Sequence, residues 1–128
     1  MSTSKTLSNL SRWPLFLTFT VYLSLSHILS PDRLPLAAYV NDKVFHFLNF
    51  LILALLGYRT FHRSSRSFFA LHSEQKAMAF ALFYGALMEM IQSTLPSRTA
   101  SFADWLADAA GVFVAFLVFR ISKLTPPT

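Results

Sequence analysis

The stretch VFHFLNFLILALLGY, residues 44–58, decides the fold class. Apolar side chains fill it apart from His46, Asn49 and two residues at its end, and no helical period separates a polar face from an apolar one. A helix that is apolar all round belongs inside a large core or a bilayer. The chain has 128 residues, of which 54% are hydrophobic and 13% charged, and this leaves too little polar surface to enclose such a core in water. The sequence therefore predicts a membrane protein.

Three more apolar stretches are long enough to cross a bilayer as helices. Prolines and a basic, serine-rich segment separate them, and the short chain indicates a single domain, residues 1–128. The predicted fold is all-α and polytopic, with four transmembrane helices. The predicted spans are Trp13–Leu29, Asn41–Phe61, Lys76–Leu95 and a fourth that starts at Ser101 or Phe102 and ends at Ile121.

The distribution of basic residues predicts the orientation of these spans. Counted together with the adjoining span ends, the segments before span one, between spans two and three, and after span four hold two, four and two basic residues, which is eight of the eleven. Because basic loops stay in the cytoplasm, we expect the protein to lie in a cytoplasmic membrane with both termini in the cytoplasm. The net charge of +5 is explained by this orientation, so we expect no nucleic-acid partner.

Polar residues gather at one end of the predicted spans. Folding the chain back and forth across the bilayer would bring all of them to the outer side. Because ionisable groups are costly in a membrane, such a group of residues marks a functional site by default. Within each helix they are three or four residues apart and so share a face. Small residues such as Gly85 and Gly111 on these faces would let the helices approach closely. The candidate ligand-binding residues are Asp42, Lys43, His46, Glu89, Gln92, Arg98, Asp104 and Asp108.

The order of these residues resembles that of VanZ-like membrane proteins. It consists of D-K-x-x-H-F from Asp42, E-x-x-Q from Glu89, P-x-R from Pro96 and D-x-x-x-D-x-x-G from Asp104, so the resemblance covers residues 42–111. No one of these motifs is specific, but their ordered set is. The resemblance implies a role at the cell envelope, since the namesake of the family is associated with reduced susceptibility to teicoplanin, a glycopeptide antibiotic with a lipid tail.

The chain departs from that family pattern at two positions. Phe50 stands where members often carry Tyr, which removes a hydroxyl from the expected site, and Asp108 stands where many carry Asn, which adds a possible negative charge.

Each candidate residue also has a structural interpretation. Glu89 and His46 are either functional groups or a buried hydrogen-bonded pair, with Gln92 as another partner for Glu89. Arg98 either binds a phosphate or carboxylate or pairs with Asp104 to fix the turn.

Asp42 and Asp104 are interpreted as residues at helix N-termini, where a carboxylate interacts favourably with the positive end of the helix dipole. Lys43 is expected to extend to the lipid headgroups. Trp13 and Trp105 are interpreted as interfacial anchors. His27, His62 and His72 each stand alone in the sequence and are assigned to no site.

Three classes of function fit this pattern. The first is a non-enzymatic protein that binds an envelope lipid, a lipid-linked precursor or a lipophilic glycopeptide antibiotic in an outward polar pocket. The second is an interfacial enzyme acting on a lipid phosphate or headgroup, with His46 or Glu89 as general acid or base and a divalent cation at Asp104 and Asp108. The third, an ion pathway, ranks last because the inner halves of the spans lack acids. We favour the first class, with a membrane lipid or lipid-linked ligand as partner and without a cofactor or metal.

Overall fold

The computed structural model describes residues 2–28, 42–96 and 101–124, and in these ranges the chain is helical with no strand. Four long helices pack side by side, and a fifth, of four residues, lies in the connection between the second and third long helices. The helices are α1 (Ser2–Ile28), α2 (Asp42–His62), α3 (Ser67–Ala70), α4 (Ser73–Ser93) and α5 (Phe102–Leu124). The all-α prediction is confirmed.

The predicted bounds hold within a few residues for three of the long helices. Helix α2 ends one residue later than predicted, α4 begins three residues earlier and ends two earlier, and α5 extends three residues further. The predicted N-cap of span two, Asn41, lies outside the described residues. Helix α3 is a correction, because the segment around it was predicted as a loop.

Helix α1 begins at Ser2 rather than at Trp13, so Pro14 lies inside the helix and not in its first turn. The polar residues before Trp13 carry no hydropathy signal, yet they include neither glycine nor proline to end a helix. Pro14 lacks the N–H that would bond four residues back and therefore leaves a gap in the helical ladder there.

Helix α2 is the central helix and packs against α5, α4 and α1. Its closest neighbour is α5, and Gly111 makes that approach possible. A Cβ placed on Gly111 would lie only 2.3 Å from the carbonyl oxygen of Phe47 and 2.9 Å from the amide nitrogen of Leu51. The expectation that small residues allow close helix packing is confirmed at this position.

Aromatic rings fill the bundle at the end opposite the polar residues. Trp13 packs edge-on against Phe69, with ring centroids 5.0 Å apart, and it also contacts Phe16 and Phe61. Trp13 therefore belongs to an aromatic cluster that joins α1, α2 and α3, in addition to any contact with headgroups.

Two helices in the described part of the chain are long and apolar enough to cross a membrane: α2, over Lys43–His62, and α5, over Phe102–Ser122. Large apolar side chains nevertheless face outward from all four long helices, among them Val21 on α1, Ile52 on α2, Phe83 on α4 and Phe113 on α5. A water-soluble bundle would carry polar groups on such faces.

Candidate functional site

The polar residues of three helices meet at one end of the bundle, as the back-and-forth arrangement of spans predicts. They come from the first turns of α2, the last turns of α4 and the first turns of α5. The side chain of Asp42 and all of Arg98 lie outside the described part, so their predicted roles are untested. The six predicted residues that the structure describes are Lys43, His46, Glu89, Gln92, Asp104 and Asp108, and we call these the polar cluster.

His46 lies at the centre of the polar cluster, between the two aspartates of α5. Its Nδ1 atom is 2.8 Å from Oδ1 of Asp108, and its Nε2 atom is 3.8 Å from Oδ2 of Asp104. All three side chains are buried. An ionised Asp108 accepts the Nδ1 proton, which orients the imidazole so that Nε2 faces Asp104.

Lys43 forms a salt bridge with Oδ1 of Asp104. The lysine side chain is half exposed while the aspartate is buried, so the ammonium group covers the outer side of the polar cluster. The expectation that Lys43 extends to the lipid headgroups did not include this ion pair, and it stays a prediction. The partner that the structure gives Asp104 is thus a residue of α2, one turn before His46.

Glu89 and Gln92 share a face of α4 but contact different parts of the bundle. Gln92 is buried and donates a hydrogen bond of 3.0 Å to the carbonyl oxygen of His27 at the end of α1. Glu89 Oε2 accepts a hydrogen bond of 3.0 Å from the backbone N–H of Ser101, just before α5. Glu89 therefore joins the C-terminal half of α4 to the start of α5.

His27 belongs beside the polar cluster, although the sequence analysis assigned it to no site. Its ring lies edge-on to that of His46, with centroids 5.2 Å apart, and is 2% exposed. The ring of Phe50 lies on another side, 6.0 Å away. A signal for His27 was present: it lies two residues before the predicted end of span one, and that end of the span is on the same side as the acidic residues.

Among the residues that the structure describes, two overlapping groups of side chains have the donor atoms and spacing to hold a metal ion. One consists of His27, His46 and Asp108 and the other of His46, Glu89 and Asp104. In each group one donor atom per residue lies within 4.8 Å of the others.

A cavity of about 420 Å³ lies beside the polar cluster, between α4 and α5. Its walls are Ala86, Phe102 and Trp105, and its polar atoms come from Glu89 and Ser101. Trp105 is fixed by a hydrogen bond of 3.2 Å from its Nε1 to the carbonyl oxygen of Leu82 on α4, a contact that its expected role as interfacial anchor did not include.

Sequence comparison places the chain in a family. The model of the family described as VanZ/LLP1 matches residues 2–123, which is nearly the whole chain. The chain belongs to the VanZ/LLP1 family. The resemblance first noted over residues 42–111 is thereby confirmed and extended to α1. No curated protein and no solved structure matches the chain.

Family membership and the two apolar helices together identify a membrane protein. The polar cluster contains residues from three of the four motifs on which the VanZ resemblance rests, and Glu89 from one of them also lines the cavity.

Proposed function

We propose that this VanZ/LLP1 protein binds an amphipathic envelope molecule at the outer end of its bundle. The ligand class is an envelope lipid, a lipid-linked precursor or a lipophilic glycopeptide antibiotic. The observation that carries the proposal is the cavity of about 420 Å³, because its lining is mostly apolar and includes Glu89. A site with apolar walls and a few convergent polar groups is the usual form of a small-molecule pocket.

The surroundings of the cavity match the two parts of such a ligand. Phe102 is 73% exposed and, with Trp105, offers aromatic surface to an acyl chain or lipid tail. Glu89 can accept hydrogen bonds from hydroxyl, amide or amine groups of a headgroup. The ammonium of Lys43, half exposed on the same end of the bundle, supplies a positive charge for a phosphate or carboxylate.

The proposal includes a location. We place all four long helices across the bacterial cytoplasmic membrane, with both termini in the cytoplasm and the polar cluster toward the outer face. The outward apolar side chains of α1 and α4 support the two further spans. The concentration of basic residues at the opposite end of the bundle supports the orientation.

Lipid that copurifies with the protein tests the binding function. We expect native mass spectrometry of the detergent-purified protein to detect a retained amphiphile, and Ala86→Phe to abolish it by filling the cavity. Phe102→Ala should weaken retention, whereas Phe113→Ala, an exposed phenylalanine of α5 outside the cavity, should leave it unchanged. Equal retention by the wild type and folded Ala86→Phe protein would exclude this cavity as the binding site.

The consequence for antibiotic susceptibility is measured in cells. If the protein sequesters a lipophilic glycopeptide or alters its lipid target, bacteria that express the wild type should tolerate more teicoplanin than bacteria that express Glu89→Gln at the same level. The isosteric amide keeps the size of the side chain and removes its charge. Identical inhibitory concentrations for the two strains would show that the charge of Glu89 has no such role.

One observation favours an interfacial enzyme as the second candidate function. His46 and Asp108 form a histidine–carboxylate pair at 2.8 Å, the arrangement that sets the tautomer of a general base. The test is phosphate release from vesicles containing a polyprenyl phosphate, compared between the wild type and His46→Gln. Release that depends on His46 would establish catalysis.

A further inference from the structure

A compact group of three side chains from three different helices consists of His27, His46 and Asp108. They come from the end of α1, the second turn of α2 and the second turn of α5. Their exposed fractions are 2%, 3% and 1%, so water has almost no access to them. One donor atom from each lies within 4.8 Å of the other two. Two imidazoles and one carboxylate are a ligand set that proteins use for zinc.

The imidazole of His27 is already oriented as a ligand. Its Nδ1 atom lies 2.8 Å from the carbonyl oxygen of Leu23, and since a carbonyl only accepts, Nδ1 must carry the proton. The lone pair is therefore on Nε2. Histidines that bind metals almost always donate their other N–H to a carbonyl or carboxylate in this way, which fixes both the tautomer and the ring orientation.

Asp108 supplies an oxygen that needs a positive partner. Its Oδ1 atom contacts His46, but its Oδ2 atom is completely buried and accepts no hydrogen bond from any residue in the described ranges. One carboxylate oxygen of Asp108 lies within 4.8 Å of a nitrogen of each of the two imidazoles. A buried carboxylate oxygen without a donor is costly in a low-dielectric interior, and a bound cation removes that cost.

We propose that His27, His46 and Asp108 bind a divalent transition-metal ion, with zinc as the best fit. Zinc accepts nitrogen and oxygen donors at about 2.0–2.2 Å, so three tetrahedral ligand atoms lie about 3.4 Å apart. The separations in the structure, from 2.8 Å to at most 4.8 Å, would each have to change by no more than about 1.4 Å to reach this spacing. Magnesium and calcium prefer sites made only of oxygen ligands, and two imidazoles disfavour them.

Zinc binding at His46 requires a shift of the imidazole proton, but no proton is gained or lost. A neutral His46 that carries its proton on Nδ1 would shift it to Nε2, which faces the carboxylate of Asp104 at 3.8 Å. The freed Nδ1 lone pair then binds the metal beside Asp108. Asp104 would support the ligand from behind, as carboxylates do in many zinc sites.

The second group, His46 with Glu89 and Asp104, is the weaker candidate. A cation there would compete with the ammonium of Lys43, which already pairs with Asp104. It would also use the same imidazole, so the two groups are not independent. The proposed site replaces the expectation, made from the sequence, that the protein binds no metal, and it does not depend on the lipid-binding proposal.

Zinc content of the purified protein tests the site. The protein should carry an affinity tag without histidine, be freed of metal by a chelator and then be titrated with Zn²⁺ in detergent. We expect about one zinc ion per chain at saturation, and a higher thermal midpoint with zinc than without it. His27→Gln should weaken zinc affinity by at least about tenfold, as loss of one protein ligand implies.

His72→Asn is the matched control. It removes an exposed imidazole at the other end of α4, and asparagine tolerates the left-handed backbone of that residue (φ 54°). This variant should bind zinc like the wild type.

Three results would overturn the site. One is a wild type that takes up no zinc, and another is equal zinc affinity in the wild type and His27→Gln. If His27→Gln does not fold, Asp108→Asn takes its place, and undiminished affinity in that variant is the third. Lipid retention is measured on the same samples, so loss of zinc with retained lipid separates the two proposals.

Discussion

Gly111→Ala should destabilise the bundle by forcing α2 and α5 apart. The new methyl group would meet backbone atoms of α2 at 2.3 and 2.9 Å, and backbone cannot rotate away as a side chain can. Since carbon and oxygen in contact lie at least about 3.3 Å apart, α5 must withdraw by about 1 Å. Overpacking costs about 1–3 kcal/mol, and the better helix propensity of alanine returns about 1 kcal/mol. From the upper end of that range, the expected net loss is about 2 kcal/mol.

The control for this variant is Gly57→Ala. Its methyl group would approach Phe16 Cε2 at 3.2 Å, the edge of a side-chain ring that can move, so its stability should stay within about 1 kcal/mol of the wild type. Reversible unfolding of detergent-solubilised protein in increasing denaturant, followed by the fluorescence of Trp13 and Trp105, gives the comparison. If Gly111→Ala and Gly57→Ala are equally stable, the close approach of α2 and α5 is wrong.

The chain has no native cysteine, so single introduced cysteines can report topology. Thr94→Cys should react with a membrane-impermeant reagent in intact cells, and Ser65→Cys should not. The reverse pattern would invert the proposed orientation. Replacing either member of the buried pair His46–Asp108 with alanine should cost about 3–5 kcal/mol, and the double variant should cost clearly less than the sum; additive losses would show that the two do not interact. Trp105→Phe should lower the free energy of unfolding by about 1 kcal/mol through the lost hydrogen bond to α4, and no change would count against that bond.

Hydropathy predicted α2 and α5 well because both are apolar along most of their length. It could not predict the start of α1, since the serines and threonines before Trp13 are compatible with either helix or loop. Helix α3 is four residues long and has no buried residue, so no periodic pattern marks it.

The site was predictable as a group but not in its pairings. Helical spacing together with the alternation of spans brought Lys43, His46 and Asp104 to one end, as the structure shows. Which cation meets which carboxylate depends on the rotation of each helix about its axis, and sequence spacing leaves that angle open. Lys43 was therefore assigned to lipid headgroups and His27 to no site.

The salt bridge of Lys43 and the hydrogen bond of His46 connect the same two helices. On α2, His46 lies three residues after Lys43. On α5, their partners Asp104 and Asp108 are four residues apart. Sliding one helix along the other by a single turn, about 5.4 Å, would break both pairs at once. The two helices therefore have one register in which both pairs can form.

This register also sets an order of events during synthesis. Helix α5 leaves the ribosome after helices α1 to α4, because chains are made from the N-terminus. Until it enters the membrane, His46 has neither of its aspartates and the glycine contact with Phe47 is unmade. A nascent chain that ends before Phe102 lacks both aspartates, so the site is completed only when α5 packs beside α2.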